Sequence, residues 1–179
     1  MSLARHYLDD TLAMFRQYKR LADRALAQID DTAFFATLDE EGNSLAVIMK
    51  HLIGNMRSRW TDFLTTDGEK PDRNRDSEFI IDPGVTRADI LDQWERNWEL
   101  VFQTVQALQP TDAEREVVIR GEPHTVVQAI NRQLTHYAYH VGQIVFLAKH
   151  YAAQSWASLT IPRGQSGTFN QQMQARTGR

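Results

Sequence analysis

Apolar positions recur at three- and four-residue intervals through four long segments, and this periodicity predicts four amphipathic helices. The first runs from about Leu3 to Ile29. Leu8, Leu12, Phe15, Ala22, Leu26 and Ile29 share a stripe that Lys19 interrupts, and Met14, Tyr18, Leu21 and Ala25 widen it. The second runs from about Ser44 to Thr65. Gly42-Asn43-Ser44 supplies a break and an N-cap, and Leu45 to Met49 is apolar nearly all round, as suits burial on several sides. The third runs from about Arg87 to Leu108 along Leu91, Trp94, Trp98, Val101, Val105 and Leu108. Thr86 and Asp89 open it as a capping box with Asp in place of Glu, and Pro110 ends it. The fourth runs from Val126 to about Tyr151, behind a capping box of Thr125 and Gln128. Its apolar face is Ile130, Leu134, Tyr137, Val141, Ile144 and Ala148. Beside that lies a mixed stripe of Ala129, Gln133, His136, His140, Gln143 and Leu147.

The connections set the expected topology. Residues 66–85 are polar and turn-rich and read as a solvated connection. A 20-residue helix is roughly 30 Å long, and a loop of that size spans it, leaving the second and third helices parallel. Glu116 to Thr125 suits a short hairpin or a plain turn equally well. The tail after Ala152 is ordered only if it docks on the helices. The expectation is one all-α domain over residues 1–179: a four-helix bundle with a long crossover between helices 2 and 3, and residues 153–179 as a docking tail.

Composition narrows the class. The chain has 179 residues, 42% hydrophobic and 24% charged, as in soluble globular domains. No run approaches the roughly 18 apolar residues of a membrane helix, and the first ten residues lack a signal-peptide core, so a cytoplasmic protein with no membrane partner is expected. There is no cysteine. Disulfides, thiolate ligands and a cysteine nucleophile are excluded, and thiol chemistry needs a thiol brought by a second substrate. Net charge is −3. Arg57 and Arg59 are close in sequence, as are Arg73 and Arg75, but neither pair extends into a basic patch, which argues against nucleic acid.

Candidate chemistry lies in the histidines, of which there are six. His136 and His140 stand at i and i+4, about 40° apart around the helix, so their imidazoles can converge on one ion. A hydrogen-bonded core pair explains that spacing equally well. His51 lies mid-helix beside Leu52 and supplies a third ligand if the second and fourth helices are neighbours. Three neutral imidazoles suit Zn, Ni, Fe or Cu better than Mg or Ca, and leave positions open for water or substrate. His6 and His150 fall near helix ends and read as surface groups. His124, twelve residues from His136, lies about 18 Å away along the axis.

NSLAVIMKHLIGN at 43–55 and GEPHTVVQAINRQLTHYAYHVGQI at 121–144, with their separation, resemble the DinB-like superfamily, also known as the YfiT-like metal-dependent hydrolases. The likeness covers essentially the whole chain, and the tail IPRGQSGTFN resembles a subgroup without assigned function. It implies a four-helix bundle with a crossover, usually a homodimer. It carries metal ligation onto His51, His136 and His140, with one divalent transition metal, Zn or Ni first and Fe next. Relatives with known activity act with low-molecular-weight thiols, so the expected activity is a transferase in which the metal activates such a thiol toward a small-molecule electrophile.

Asn55 and Gln143, one turn from His51 and His140, are candidates for holding substrate or orienting an imidazole. Arg59, two turns from His51, reads as a solvated charge in preference to a binder of an anionic substrate. Tyr137, Trp94 and Trp98 read as core. A hydrolase is the alternative, weakened by the scarcity of acids on the inner faces, where Asp62 is three turns away. A non-catalytic metal- or ligand-binding stress protein is the other.

Overall fold

The computed structural model describes residues 2–178. Helix dominates it. Chain order is α1 (Leu3–Leu26), α2 (Asp31–Phe35), α3 (Leu45–Trp60), α4 (Arg87–Ala107), β1 (Glu116–Ile119), β2 (Glu122–Thr125), α5 (Val126–Ala152) and α6 (Ser166–Thr177). A one-turn 3-10 helix at Asp76–Phe79 interrupts the long α3–α4 connection.

The starts of the long helices follow from their caps. Ser44 Oγ accepts the Val47 N–H at 3.2 Å, and reciprocal capping boxes open α4 at Thr86/Asp89 and α5 at Thr125/Gln128. Two ends come earlier than periodicity suggested. α1 stops at Leu26, because Asp30 begins a separate short helix by accepting the Ala33 N–H at 2.8 Å. α3 stops at Trp60: Asp62 takes a positive φ of 49°, and the Thr65 and Thr66 N–H groups return to its carbonyl.

The four long helices pack around one hydrophobic core, α1 against α5 and α4, and α3 against α4 and α5. Tyr7 reaches Val127 and Asn131 while Arg24 reaches Leu159, so α1 and α5 run the same way. His51 meets His136 and His140 while Trp60 meets Tyr137. Phe15, Trp60, Trp98 and Tyr137 interlock at the centre, with ring centroids 5.6–6.2 Å apart. Each such pair adds about 0.5–1.5 kcal/mol beyond the area it buries. The buried Tyr137 hydroxyl accepts from Trp60 Nε1 at 2.9 Å and donates to Asn55 Oδ1 at 3.2 Å. Trp94 and Trp98 are also fully buried, as the pattern implied.

Glu116 to Thr125 forms a hairpin rather than a plain turn. Its two loop residues, Arg120 and Gly121, have φ of 57° and 76°, the positive pair that a twisted two-residue hairpin loop demands. Both loop N–H groups donate to the Asp67 carboxylate at 2.8 Å, which ties the hairpin tip to the α3–α4 connection. That connection is no simple solvated loop: Glu78 within it is 5% exposed. The tail docks on α1 through Ala157 and Leu159, whereas α6 buries no residue. Among the described residues, no helix is long and apolar enough to cross a membrane.

Candidate metal centre

The packing of α3 against α5 brings His51 to His136 and His140. His136 Nε2 lies 3.3 Å from His51 Nε2 and 3.1 Å from His140 Nε2. Among the described residues these three form the one group of metal-ligating side chains with converging donor atoms. A tetrahedral ion about 2.0–2.1 Å from each nitrogen sets its ligands about 3.3–3.4 Å apart, close to these two spacings, and all three donor atoms lie within 4.8 Å of one another.

The outer nitrogens decide which lone pairs face inward. His51 Nδ1 lies 2.8 Å from Glu78 Oε2, and a carboxylate only accepts, so Nδ1 carries a proton, which in the neutral ring leaves Nε2 a lone pair. His140 Nδ1 donates in the same way to Gln143 Oε1 at 2.8 Å. His136 Nε2 therefore faces two acceptors and can donate a proton to only one. At least one imidazole lone pair is then left without a donor, and a shared cation would satisfy all three. The carboxylate–histidine arrangement at His51 is the partner that metal-ligating imidazoles ordinarily keep.

Glu78 is the residue that sequence reasoning missed. It sits in the Asp76–Phe79 turn, 27 positions from His51, held by Arg73 Nε at 2.8 Å and by a second Arg73 nitrogen at 3.1 Å. Arg73 in turn meets Glu69, which also accepts from Arg59 and Arg120. One sequence signal pointed here. Gly54 stands inside α3, where glycine costs about 1 kcal/mol relative to alanine. A Cβ at Gly54 would lie 2.6 Å from the Glu78 carboxyl carbon and 3.0 Å from its Cγ, so the glycine leaves room for the carboxylate. Phe79, next in the turn, stacks on the His51 ring at 5.1 Å.

Burial sets the electrostatics. It pushes His136 down to about 3, with the neighbouring histidines and Arg59 and Arg73 adding to the effect. It likewise pushes His140 down to about 4, with His51 contributing and the Gln143 bond opposing. Both rings are held neutral, the ligating form. Burial opposes ionisation of Glu78, but hydrogen bonds from His51 and Arg73 outweigh it and hold the carboxyl below its ordinary range.

His51 and His136 open onto a cavity of about 400 Å³, lined also by Asn55, Gln133, Tyr139 and five arginines. Gln143 meets His140, as its position one turn away suggested. Asn55 orients no imidazole; it accepts from Tyr137 and lines the cavity. Arg59 departs furthest from its sequence reading. It is 5% exposed and locked to Glu69 and the Gly68 carbonyl, because α3 turns it inward beneath the hairpin instead of into solvent. His6, His124 and His150 take no part among the described groups, and Asp62 lies outside α3 altogether. No curated protein and no solved structure matches the chain. Residues 2–165 match the family described as protein of unknown function (DUF1572), and the chain belongs to that family.

Proposed function

We propose that the chain is a metal-dependent enzyme of the DinB-like kind, a bundle with a long α3–α4 crossover, which acts on a small molecule held against a three-histidine site. One observation carries this reading: three imidazoles converge, two of them oriented by Glu78 and Gln143, beside an open cavity that His51 and His136 line. A site built only for stability has no need of an adjoining cavity. His51, His136 and His140 would hold one divalent transition ion, Zn or Ni by donor chemistry with Fe next. When bound, such an ion lowers the pKa of a thiol or water that it meets.

The chain's own side chains do the rest. Glu78 and Gln143 fix the tautomers of His51 and His140, and the aromatic core behind α5 excludes water from the back of the site. No carboxylate lines the cavity, and Glu78 is already engaged by His51 and Arg73. A general base for hydrolysis is therefore lacking, which favours transfer of a low-molecular-weight thiol, already a strong nucleophile once deprotonated. The family likeness further implies a homodimer.

The test is elemental analysis of purified chain beside His51→Ala and His140→Ala, followed by a conjugation screen of small thiols against electrophiles. One equivalent of metal in the wild type and none in the variants is expected, with conjugation following metal content. Equal metal in all three proteins overturns the site; full metal with hydrolysis but no thiol transfer overturns the reaction class.

A further inference from the structure

The cavity beside the histidines carries a charge imbalance that the metal site does not explain. Arg59, Arg73, Arg75, Arg120 and Arg132 all line it. Glu69 accepts from Arg59, Arg73 and Arg120, and Glu78 accepts from Arg73. Arg75 and Arg132 form no ion pair among the described residues; Arg75 lies over the Phe79 ring at 5.0 Å. Adding Asp67, which holds the hairpin loop, leaves five guanidinium groups against three carboxylates. A bound divalent cation would raise the excess further. Like charges gathered on one concave wall repel unless something anionic answers them.

Two orphaned atoms point the same way. Arg59 Nε and Gln133 Oε1 are buried and have no hydrogen-bond partner, and their residues are 5% and 3% exposed. A buried polar atom without a partner is costly, and of the five such atoms among the described residues only these two belong to residues that line the cavity. Arg59 continues the stripe of His51 and Asn55 along α3. Gln133 sits one turn before His136 on α5. Both helices that present the imidazoles thus carry an unsatisfied polar group on a residue that lines the cavity.

We propose that this cavity is an oxyanion subsite, which binds the carboxylate or phosphate of a small molecule through Arg59, Arg75 and Arg132. Gln133 Oε1 accepts an N–H or O–H from the same molecule. Guanidinium forks match planar carboxylates and phosphates, which a lysine-lined wall would match less well. The inference rests on the enzyme reading above only in naming that molecule a substrate. Its reacting end then lies at the histidines and its anionic end up to two helical turns away, about 12 Å along α3.

The test uses calorimetric titration of the full chain, at constant ionic strength, with inorganic phosphate, acetate and the neutral isostere acetamide. Each is titrated into metal-loaded and metal-depleted protein. Arg75→Gln/Arg132→Gln removes two exposed cations without touching the buried network, and Lys149→Gln controls for net charge. Circular dichroism checks that each variant is folded. Phosphate and acetate should bind the depleted wild type, acetamide should not, and the double variant should lose about tenfold or more in affinity while Lys149→Gln is unchanged. Equal binding by wild type and double variant, or equal binding of acetate and acetamide, overturns the subsite. Anion binding that needs the metal and ignores the arginines also overturns it, and leaves the metal site standing. Arginine-dependent binding by a chain that holds no metal supports the subsite and sinks the metal reading instead.

Discussion

Gly54→Ala tests the link between the α3–α4 connection and the histidines. In an exposed helix interior this substitution gains about 1 kcal/mol, because alanine loses less conformational entropy than glycine. Here the new methyl lies 2.6 Å from the Glu78 carboxyl carbon and closer still to Oε1. The far end of a glutamate ordinarily yields to such an intrusion. Glu78 is not free to yield, because His51 holds one carboxylate oxygen and Arg73 holds both. Displacing it breaks a buried charge-assisted set. Leaving one partner of such a pair uncompensated costs about 3–5 kcal/mol, and partial relaxation reduces that. After the helix gain, a net loss of about 1–3 kcal/mol remains. The His51 tautomer also loses its anchor, and loss of such an outer partner weakens metal affinity about 10- to 100-fold.

The assay is a pair of measurements on each protein: a urea unfolding midpoint without metal, and competition for metal against a chelator. Gly54→Ala should fall in both. In a Glu78→Ala background the obstruction is gone, so the same substitution should be neutral or stabilise by up to about 1 kcal/mol and leave metal affinity unchanged. That non-additivity is the signature of direct contact. Stabilisation by Gly54→Ala in the wild-type background, with metal affinity intact, would falsify the role given to Glu78.

Further outcomes follow from other contacts. Gln143→Ala removes the acceptor from His140 Nδ1 at an exposed position, so metal affinity should drop about tenfold with little change in the unfolding midpoint; a midpoint loss without an affinity loss contradicts this. Tyr137→Phe leaves the buried Trp60 N–H without its acceptor, and should cost about 1–3 kcal/mol on denaturant unfolding while the metal stays bound. The pH dependence has a definite sign. His136 and His140 have folded values pushed below the ordinary 6.5, so the unfolded chain takes up protons first as pH falls. Their contribution to stability is present above about pH 6.5 and lost progressively toward about 4 and 3. Metal-free protein should thus unfold more easily at pH 5 than at pH 7, and His136→Ala/His140→Ala should flatten that slope; an unchanged slope refutes the assignment.

The helices and the HxxxH pair were legible because each rests on local pattern, whereas His51 joined the pair only through the family resemblance. Capping boxes at Thr86 and Thr125 lie within four residues, and HxxxH lies within one turn of α5. The parts that escaped are those in which residues distant in sequence meet. Glu78 approaches α3 from a connection with no periodicity, and only Gly54, tolerated mid-helix, marked its place. The arginines are the sharper case. Read linearly, Arg59, Arg73, Arg75, Arg120 and Arg132 are scattered among acids in a chain of net charge −3, and no basic patch emerges. Three physical devices gather them. α3 turns Arg59 inward at its last turn, the Arg73–Glu78 pair folds the connection back over α3, and Asp67 clamps the hairpin loop that carries Arg120. Glu69 then sits among three of them as a shared counter-ion. The acids that hide the basic character of the sequence are the groups that assemble it in space. A net-charge argument speaks only to a broad basic face, and it has no power against a single cavity of this size.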